Sequence, residues 1–285
     1  MPPQDGEWKV LGWDAAGIVR DVGDSVSLFQ PGDRVYYAGD AMRLGSNAEY
    51  QLVDERIVGN MPESLSFAEA AALPLTTICA WEMLFDRLQV PTEAMENPKT
   101  VLVIGAAGGV GSIMVQLLRC LTSATIIGTA SREESVKWLN ELGAHHVINH
   151  HKPLSLGLNA IGIPMVDYVI GLNNTKDHYA EIIHIIAPQG HLGIIDNTGE
   201  LDASPLGIKS VSLHWEVMFT RSMFQTPDMI EQHNLLNAVA DLIDKGSIRT
   251  TVAHNLGTIN AENLIKAHAV LESRQAHGKI VLEGF

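Results

Sequence analysis

One run of sequence constrains the fold of this 285-residue chain more than any other: residues 101–118 contain four glycines and no charged side chain. Residues 101–104 are apolar, and the glycines follow at positions 105, 108, 109 and 111. A membrane helix is a poor place for four glycines and for Gln116, whereas a strand, a glycine turn and a helix explain the whole run. The run therefore predicts a buried strand that turns sharply into a helix.

The glycines have the spacing of a phosphate-binding turn. Ala106-x-Gly108-x-x-Gly111 fits the dinucleotide fingerprint, with alanine at its first position. Small residues let a pyrophosphate approach the backbone N–H groups, and the following helix N-terminus favours its negative charge. A tight turn without a ligand is the alternative. The turn also has the glycine spacing of short-chain dehydrogenases, but none of the five tyrosines has the required lysine four residues on.

Strand and helix patterns alternate after this turn. Apolar strands that alternate with amphipathic helices predict a parallel sheet covered on both faces. We expect strands at residues 100–104, 125–130, 147–149, 166–171 and 191–196, and helices at residues 110–121, 132–142 and 177–186.

The two ends of the chain show a different pattern. About the first 65 residues read as a small all-β unit with strands near residues 17–23, 34–37 and 47–58. A capping box at Ser66 opens an alanine-rich helix, which Pro74 breaks, and a second helical run covers residues 75–88. A helix at residues 229–245 precedes a strand, a helix and a strand at residues 250–256, 261–271 and 279–282.

Composition excludes several classes of protein. With 33 acidic and 19 basic residues, the formal net charge is −14, which argues against a nucleic-acid binder or a polybasic membrane-surface protein. The two cysteines, Cys79 and Cys120, are too few for a disulfide framework or a four-cysteine zinc site. We therefore expect the reducing cytoplasm as the location and no membrane partner.

The end of the second predicted strand distinguishes between two nicotinamide cofactors. NAD enzymes usually place an acidic residue there to bind the ribose 2′-OH. Here the strand runs into Ser131-Arg132, and a hydroxyl beside a guanidinium suits a 2′-phosphate. The pattern favours NADPH over NADH, although residues 131–134 also read as a helix capping box.

These features together resemble the medium-chain dehydrogenase/reductase superfamily, in its zinc-free quinone oxidoreductase branch and near the zinc-type alcohol dehydrogenase-like proteins. The resemblance covers nearly the whole chain. It is carried by residues 11–17 (LGWDAAG), 31–39 (PGDRVYYAG), 66–81, the glycine turn, 129–132 (TASR) and 277–282 (HGKIVL).

The resemblance implies an α/β fold: a Rossmann doubly wound parallel sheet plus a partial GroES-like β domain built from both chain ends. Residues 1–75 would form the GroES-like domain, residues 76–248 the Rossmann domain, and residues 249–285 the return segment of the first. Relatives carry further strands before the segment that matches Leu11, so this β domain should expose strand edges and apolar surface.

The resemblance also assigns residues to the cofactor. Gly108, Gly109 and Val110 would contact the pyrophosphate, and Ser131 and Arg132 the 2′-phosphate. Three more positions match family positions beside the cofactor: His150, where relatives often have tyrosine; Cys79, where they usually have threonine; and Arg274, which would face it across the cleft.

Zinc is not expected. Zinc alcohol dehydrogenases carry Gly-His-Glu where this chain has Gly12-Trp13-Asp14, and an indole cannot bind zinc. The histidines at positions 145, 146, 150 and 151 could bind metal adventitiously, but we interpret them as a strand end and cofactor-edge side chains. Asp14 is near the cleft by family position, and a role in the geometry of the turn is the preferred interpretation. No catalytic residue can be named.

The expected activity is NADPH-dependent hydride transfer to a quinone, an enone or a related carbonyl, with a small-molecule acceptor as partner. The alternative is an NADPH-binding protein without turnover, either a sensor or a truncated paralogue. The family is commonly dimeric through the edge of the Rossmann sheet, and residues 210–215 are a plausible edge strand, so we also expect a homodimer.

Overall fold

The computed structural model describes residues 8–273 and 276–285. In this range, residues Glu55–Ile57 form a 3₁₀ turn and residues Glu82–Arg87 form a π-helical segment. The strands are β1 Ala15–Ile18, β2 Arg34–Tyr37, β3 Val58–Asn60, β4 Thr100–Ile104, β5 Thr125–Thr129, β6 His146–Ile148, β7 Val166–Gly171, β8 Ile186–Ile194, β9 Ser212–Trp215, β10 Val252–Asn255 and β11 Lys279–Val281. The helices are α1 Phe67–Ala71, α2 Pro74–Trp81, α3 Gly109–Leu121, α4 Glu133–Leu142, α5 Leu154–Ala160, α6 Thr175–Ile185, α7 Ser204–Gly207, α8 Thr220–Phe224, α9 Glu231–Asp244 and α10 Ala261–Glu272.

The chain divides into two compact units, which we call the terminal unit (Met1–Ile78 with Met218–Phe285) and the central unit (Cys79–Val217). The first is built from both ends of the chain, as the resemblance implies. The resemblance predicts that residues 218–248 belong to the Rossmann domain, whereas the structure places them in the terminal unit. The physical reason is α9, which packs against β3 and accepts a buried 2.6 Å hydrogen bond from the Tyr36 hydroxyl at the Leu236 carbonyl.

The central unit contains the predicted parallel sheet. Within the described residues its strand order is β6-β5-β4-β7-β8-β9, and every neighbouring pair is parallel. The chain runs outward from β4 in both directions, so right-handed crossovers place α3 and α4 on one face and α6 on the other. This is the predicted doubly wound sheet. Val101, Leu102 and Val103 at its centre are fully buried.

The terminal unit contains a smaller sheet. β1, β2 and β3 pair antiparallel in that order, and β10 pairs with β11 in a separate parallel ribbon. The unit exposes apolar side chains, as expected: Leu52 is 85 % and Ile18 62 % accessible. None of the helices in the described part of the chain is long and apolar enough to span a membrane.

One strand predicted from the sequence is wrong. The stretch 47–58 is not a strand, because residues 47–54 are irregular and Glu55 caps the Ser27 and Leu28 N–H groups instead of joining a ladder. Pro74 separates α1 from α2, as predicted, and is itself the first residue of α2, a position where the missing N–H costs nothing. The short helices α5, α7 and α8 were not predicted.

Candidate functional site

The glycine turn lies between β4 and α3, where the sequence predicts it. Gly105 has a φ of +82°, which favours glycine, and its carbonyl accepts the Gly108 N–H at 3.1 Å. A Cβ on Gly111 would lie 2.3 Å from the Ala106 carbonyl oxygen, so only glycine fits there. On Gly108, by contrast, a Cβ would meet only the Gly105 oxygen, at 3.4 Å. The turn is therefore closed on its helix side and open at Gly108.

The first turn of α3 presents backbone donors to this open side. Gly108 is the N-cap of α3 and has no side chain that could accept hydrogen bonds from these N–H groups. The N–H groups of Gly109 and Val110 have no partner inside the helix, and the helix dipole makes this end electropositive. A cradle of this shape and charge fits a pyrophosphate.

A polar side chain that sequence reasoning missed lies beside the turn. Asn173 follows the carboxyl end of β7, and a Cβ on Gly105 would meet its Oδ1 at 2.5 Å. The sheet order reverses between β4 and β7, and open α/β sheets bind ligands at such a switch point. The available signal was a polar residue two positions after the fourth strand of the alternating series.

The structure brings Ser131, Arg132 and His150 to one edge of the sheet. Thr129 pairs with Ile148 at the ends of β5 and β6. Because Ser131 and His150 each follow their paired residue by two positions, they leave the sheet side by side. Arg132 is the N-cap of α4 and makes no side-chain cap, so the capping box that Ser131 could have opened is not formed.

The run of histidines divides between two environments. Nδ1 of His145 accepts the Ile126 N–H at 2.9 Å, which fixes this ring on the sheet. The rings of His150 and His151 lie 4.8 Å apart, and that of His178 on α6 lies 6.4 Å from His150. Burial lowers the pKa of His150, and the charges of His151, His178 and Arg132 lower it further. Nδ1 of His150 is buried and has no hydrogen-bond partner among the described residues.

Cys79 is buried in the central unit close to two acidic side chains. Burial, with the negative charges of Glu216 and Glu82, raises the pKa of its thiol far above the ordinary range. Cys79 therefore stays protonated and is a poor nucleophile. A contact between Cys79 and a cofactor stays a prediction.

The two carboxyl groups beside Cys79 form a buried cluster with Arg87. Glu82 is fully buried and Glu216 is 2 % exposed. Arg87 Nε donates to Glu216 Oε2 at 2.7 Å, and its Nη2 lies 4.0 Å from Glu82 Oε2. Burial and the neighbouring Glu82 raise the pKa of Glu216 to about 8, against the opposing effect of Arg87. Glu82 and Arg87 are the first and last residues of the π-helical segment, a rare conformation that is frequent at functional sites.

Asp14 has a structural role within the terminal unit. Its Oδ1 accepts the Leu75 N–H at 2.7 Å, and its Oδ2 accepts Lys279 Nζ at 2.6 Å. Trp13 packs against Phe219 with ring centroids 5.1 Å apart. Neither residue is arranged as a metal ligand, so a zinc ion at this position does not fit the chain.

The rest of the described chain offers no metal cluster, but it contains a cavity. Among the residues that the structure describes, no group of three or more histidine, cysteine, aspartate or glutamate side chains could hold a metal ion. A cavity of about 880 Å³ lies within the terminal unit, and both apolar and charged residues line it, among them Phe29, Arg20 and Glu55. Arg274 lies outside the described residues.

Comparisons with known proteins agree with this arrangement. Residues 1–79 match the alcohol dehydrogenase GroES-like domain, and residues 142–282 match the zinc-binding dehydrogenase family. A zinc-type alcohol dehydrogenase-like protein of Staphylococcus aureus is 41 % identical over 276 residues, which are 96 % of this chain and 82 % of that protein.

Two solved structures extend the comparison. A protein of Rhizobium etli described as a zinc-dependent alcohol dehydrogenase protein superposes with a TM-score of 0.95 at 52 % identity, over 100 % of this chain and 83 % of its own. The quinone oxidoreductase of Escherichia coli in complex with NADPH superposes with a TM-score of 0.80 at 26 % identity, over 95 % and 81 %.

Proposed function

The chain belongs to the medium-chain dehydrogenase/reductase superfamily, and from this premise we propose that it is an NADPH-dependent oxidoreductase that reduces a quinone, an enone or a related carbonyl without zinc. The observation that carries the proposal is the edge formed by Ser131, Arg132 and His150. It offers a hydroxyl, a guanidinium and an imidazole where an NAD enzyme would place a carboxylate. The similar quinone oxidoreductase with bound NADPH supports the same direction.

The residues of this chain would bind and orient the cofactor. The N–H groups of Gly109 and Val110 would hold the pyrophosphate, and Ser131 with Arg132 the 2′-phosphate. An extended dinucleotide anchored in this way would run from the end of β5 across β4 toward β7, where Asn173 offers an amide. When bound, the nicotinamide supplies the hydride.

No strong acid is needed for one class of acceptor. A quinone takes hydride directly, and its reduced oxygen is stable as an anion, so holding the two reactants together supplies much of the rate. Asp14 is not needed as an acid in such a reaction. Its Oδ1 accepts the Leu75 N–H and its Oδ2 accepts Lys279 Nζ, so both oxygens already have partners. The zinc in the names of some relatives is not required by this chemistry.

The assembly and the location are proposed on separate grounds. β9 is an edge strand of the central sheet, and Trp215 at its end is 54 % exposed, so the same edge of a second copy could extend the sheet. Cys79 and Cys120 are both free thiols, which suits the reducing cytoplasm.

The experiment that tests the activity is NADPH oxidation with a small quinone, with NADH measured in parallel. We expect turnover with NADPH preferred. Arg132→Gln should raise the KM for NADPH about 10- to 100-fold and leave that for NADH nearly unchanged, because one charge-assisted contact to the phosphate is lost.

The control for this variant is Lys137→Gln, which removes an exposed charge from the same helix. Equal losses for both cofactors in Arg132→Gln would contradict the assignment of the 2′-phosphate site. Saturable NADPH binding without turnover on any quinone or enone would favour the alternative, a binding protein without catalysis.

A further inference from the structure

Three imidazoles and one guanidinium converge at the edge of the central sheet. His150 and His151 follow β6, and His178 lies in the first half of α6. The ring centroid of His150 lies 4.8 Å from that of His151 and 6.4 Å from that of His178. Arg132, at the start of α4, is close enough to act electrostatically on His150. We call these four residues the imidazole cluster.

The charged groups that act on His150 have the same sign when protonated. They come from three segments of the chain: Arg132 from the start of α4, His151 from the same loop as His150, and His178 from α6. No carboxylate is among the groups that influence His150 in the described part of the chain. Protonating several of these rings together is therefore unfavourable unless an anion lies among them.

A second observation indicates that something is to be bound. Nδ1 of His150 is buried, and no described residue bonds to it. A buried polar atom without a partner is costly in a finished structure. The atom lies on the same edge as Ser131, two residues beyond the Thr129–Ile148 pair.

We infer that the imidazole cluster makes the choice between NADPH and NADH depend on pH, with His150 and His178 protonating as the 2′-phosphate binds. This inference rests on the proposed cofactor site, which already contains His150, and adds His178 to it as a specificity-determining residue. In the unliganded protein, burial and the repulsion from neighbouring positive charges disfavour a proton on His150. A phosphate dianion removes this repulsion, so binding and proton uptake are coupled.

The direction of the effect follows from this coupling. Lowering the pH protonates the imidazoles and strengthens binding of the 2′-phosphate. The affinity for an adenosine that lacks this phosphate does not change. Below about pH 6 the trend levels off, because the phosphate itself begins to take up a proton. The preference for NADPH should therefore be greatest just above pH 6 and decline as the pH rises.

The test uses adenosine 2′,5′-bisphosphate and 5′-AMP as probes, with calorimetry on the full chain. At pH 7.5 the 2′-phosphate is already a dianion, so titrations in buffers of different ionisation enthalpy count protons taken up by the protein. We expect net uptake with the bisphosphate and little with 5′-AMP. The affinity for the bisphosphate should fall about tenfold from pH 7.0 to 8.5, the loss of one charge-assisted contact.

Two variants locate the protons. His178→Gln and His150→Gln should each reduce the proton uptake and flatten the pH dependence. His184→Gln, an exposed histidine farther along α6, should behave as the wild type.

The outcomes separate this inference from the proposed function. A preference for the bisphosphate with no proton uptake would overturn the inference and leave NADPH use intact. The same pH dependence in His178→Gln and the wild type would overturn the role of His178. Equal affinity for both probes at every pH would overturn the NADPH site itself and the inference with it.

Discussion

Glu216 provides the sharpest test of the electrostatics of the central unit. This carboxyl group is 2 % exposed, lies beside Glu82 and accepts one hydrogen bond from Arg87. Its other oxygen, Oε1, is buried and receives no hydrogen bond from the described residues. A proton on Glu216 would give this oxygen a hydrogen-bond partner. The protonated carboxyl can donate to Glu82 while it still accepts from Arg87.

The pKa of Glu216 fixes the size and direction of the effect. Burial first, and Glu82 second, raise the pKa from 4.5 in the unfolded chain to about 8 in the folded protein. Between these values the folded state holds a proton that the unfolded state has released, so the free energy of unfolding falls as the pH rises. Each pH unit corresponds to about 1.4 kcal/mol, and an interval from pH 5.5 to 7.5 therefore to about 3 kcal/mol.

The variant Glu216→Gln removes the titration and keeps the shape. Its amide donates to Glu82 and accepts from Arg87, as the protonated acid does. In urea unfolding, we expect the free energy of unfolding of the variant, relative to that of the wild type, to rise by about 3 kcal/mol between pH 5.5 and pH 7.5. Using the difference between two proteins cancels the pH effects of all other groups. Glu96→Gln, at an exposed position, is the control and should show no such gain.

A difference between wild type and Glu216→Gln that stays constant from pH 5.5 to 7.5 would refute the reasoning. It would mean that Glu216 is ionised throughout and that Arg87 compensates both carboxylates. A difference of opposite sign would mean that the charge on Glu216 stabilises the fold.

Three further predictions concern the turn, the terminal unit and the assembly. Gly111→Ala should abolish NADPH binding in a fluorescence titration and lower the free energy of unfolding by about 2 kcal/mol, because its Cβ would lie 2.3 Å from a backbone oxygen. Gly207→Ala is the control and should have neither effect, because the space around Gly207 is open. Asp14→Asn should lower the free energy of unfolding by about 2 kcal/mol, because it weakens a half-buried ion pair with Lys279. The kcat of the folded fraction should change less than threefold. A large loss of kcat at unchanged stability would instead make Asp14 catalytic. Sedimentation at micromolar concentration should give twice 30.9 kDa for the wild type and a monomer for Trp215→Glu, and a monomeric wild type would refute a dimer through β9.

The sequence predicted the central unit well because its signals are local. β4 and β7 have their predicted bounds, since an apolar run bounded by glycine leaves little choice. α4 ends at residue 142 as predicted, and Gly143 follows it with a φ of +102°. The short helix α5 escaped notice because its sequence alternates leucine with serine, glycine and asparagine. Gly157 within it is required by packing, because a Cβ would lie 2.9 Å from Ile148.

The parts of the site that the sequence did not reveal depend on distant segments. Glu82 and Glu216 are far apart in sequence and have no spacing that could suggest a shared proton. His178 lies in an ordinary helix, and only the packing of α6 brings it to His150. The glycine turn and the Ser131-Arg132 pair were visible, by contrast, because each fits a short pattern that one strand end imposes.

The tie between Asp14 and Lys279 has a consequence for how the protein is made. These residues are 265 positions apart, and Tyr36 and Leu236 are 200 apart. During synthesis the central unit can complete its own sheet while the last residues are still on the ribosome. The terminal unit has to wait, with its first strands exposed, until Lys279 emerges. Ribosome-bound chains that stop before Lys279 should therefore hold a protease-resistant central unit and a protease-sensitive N-terminal segment.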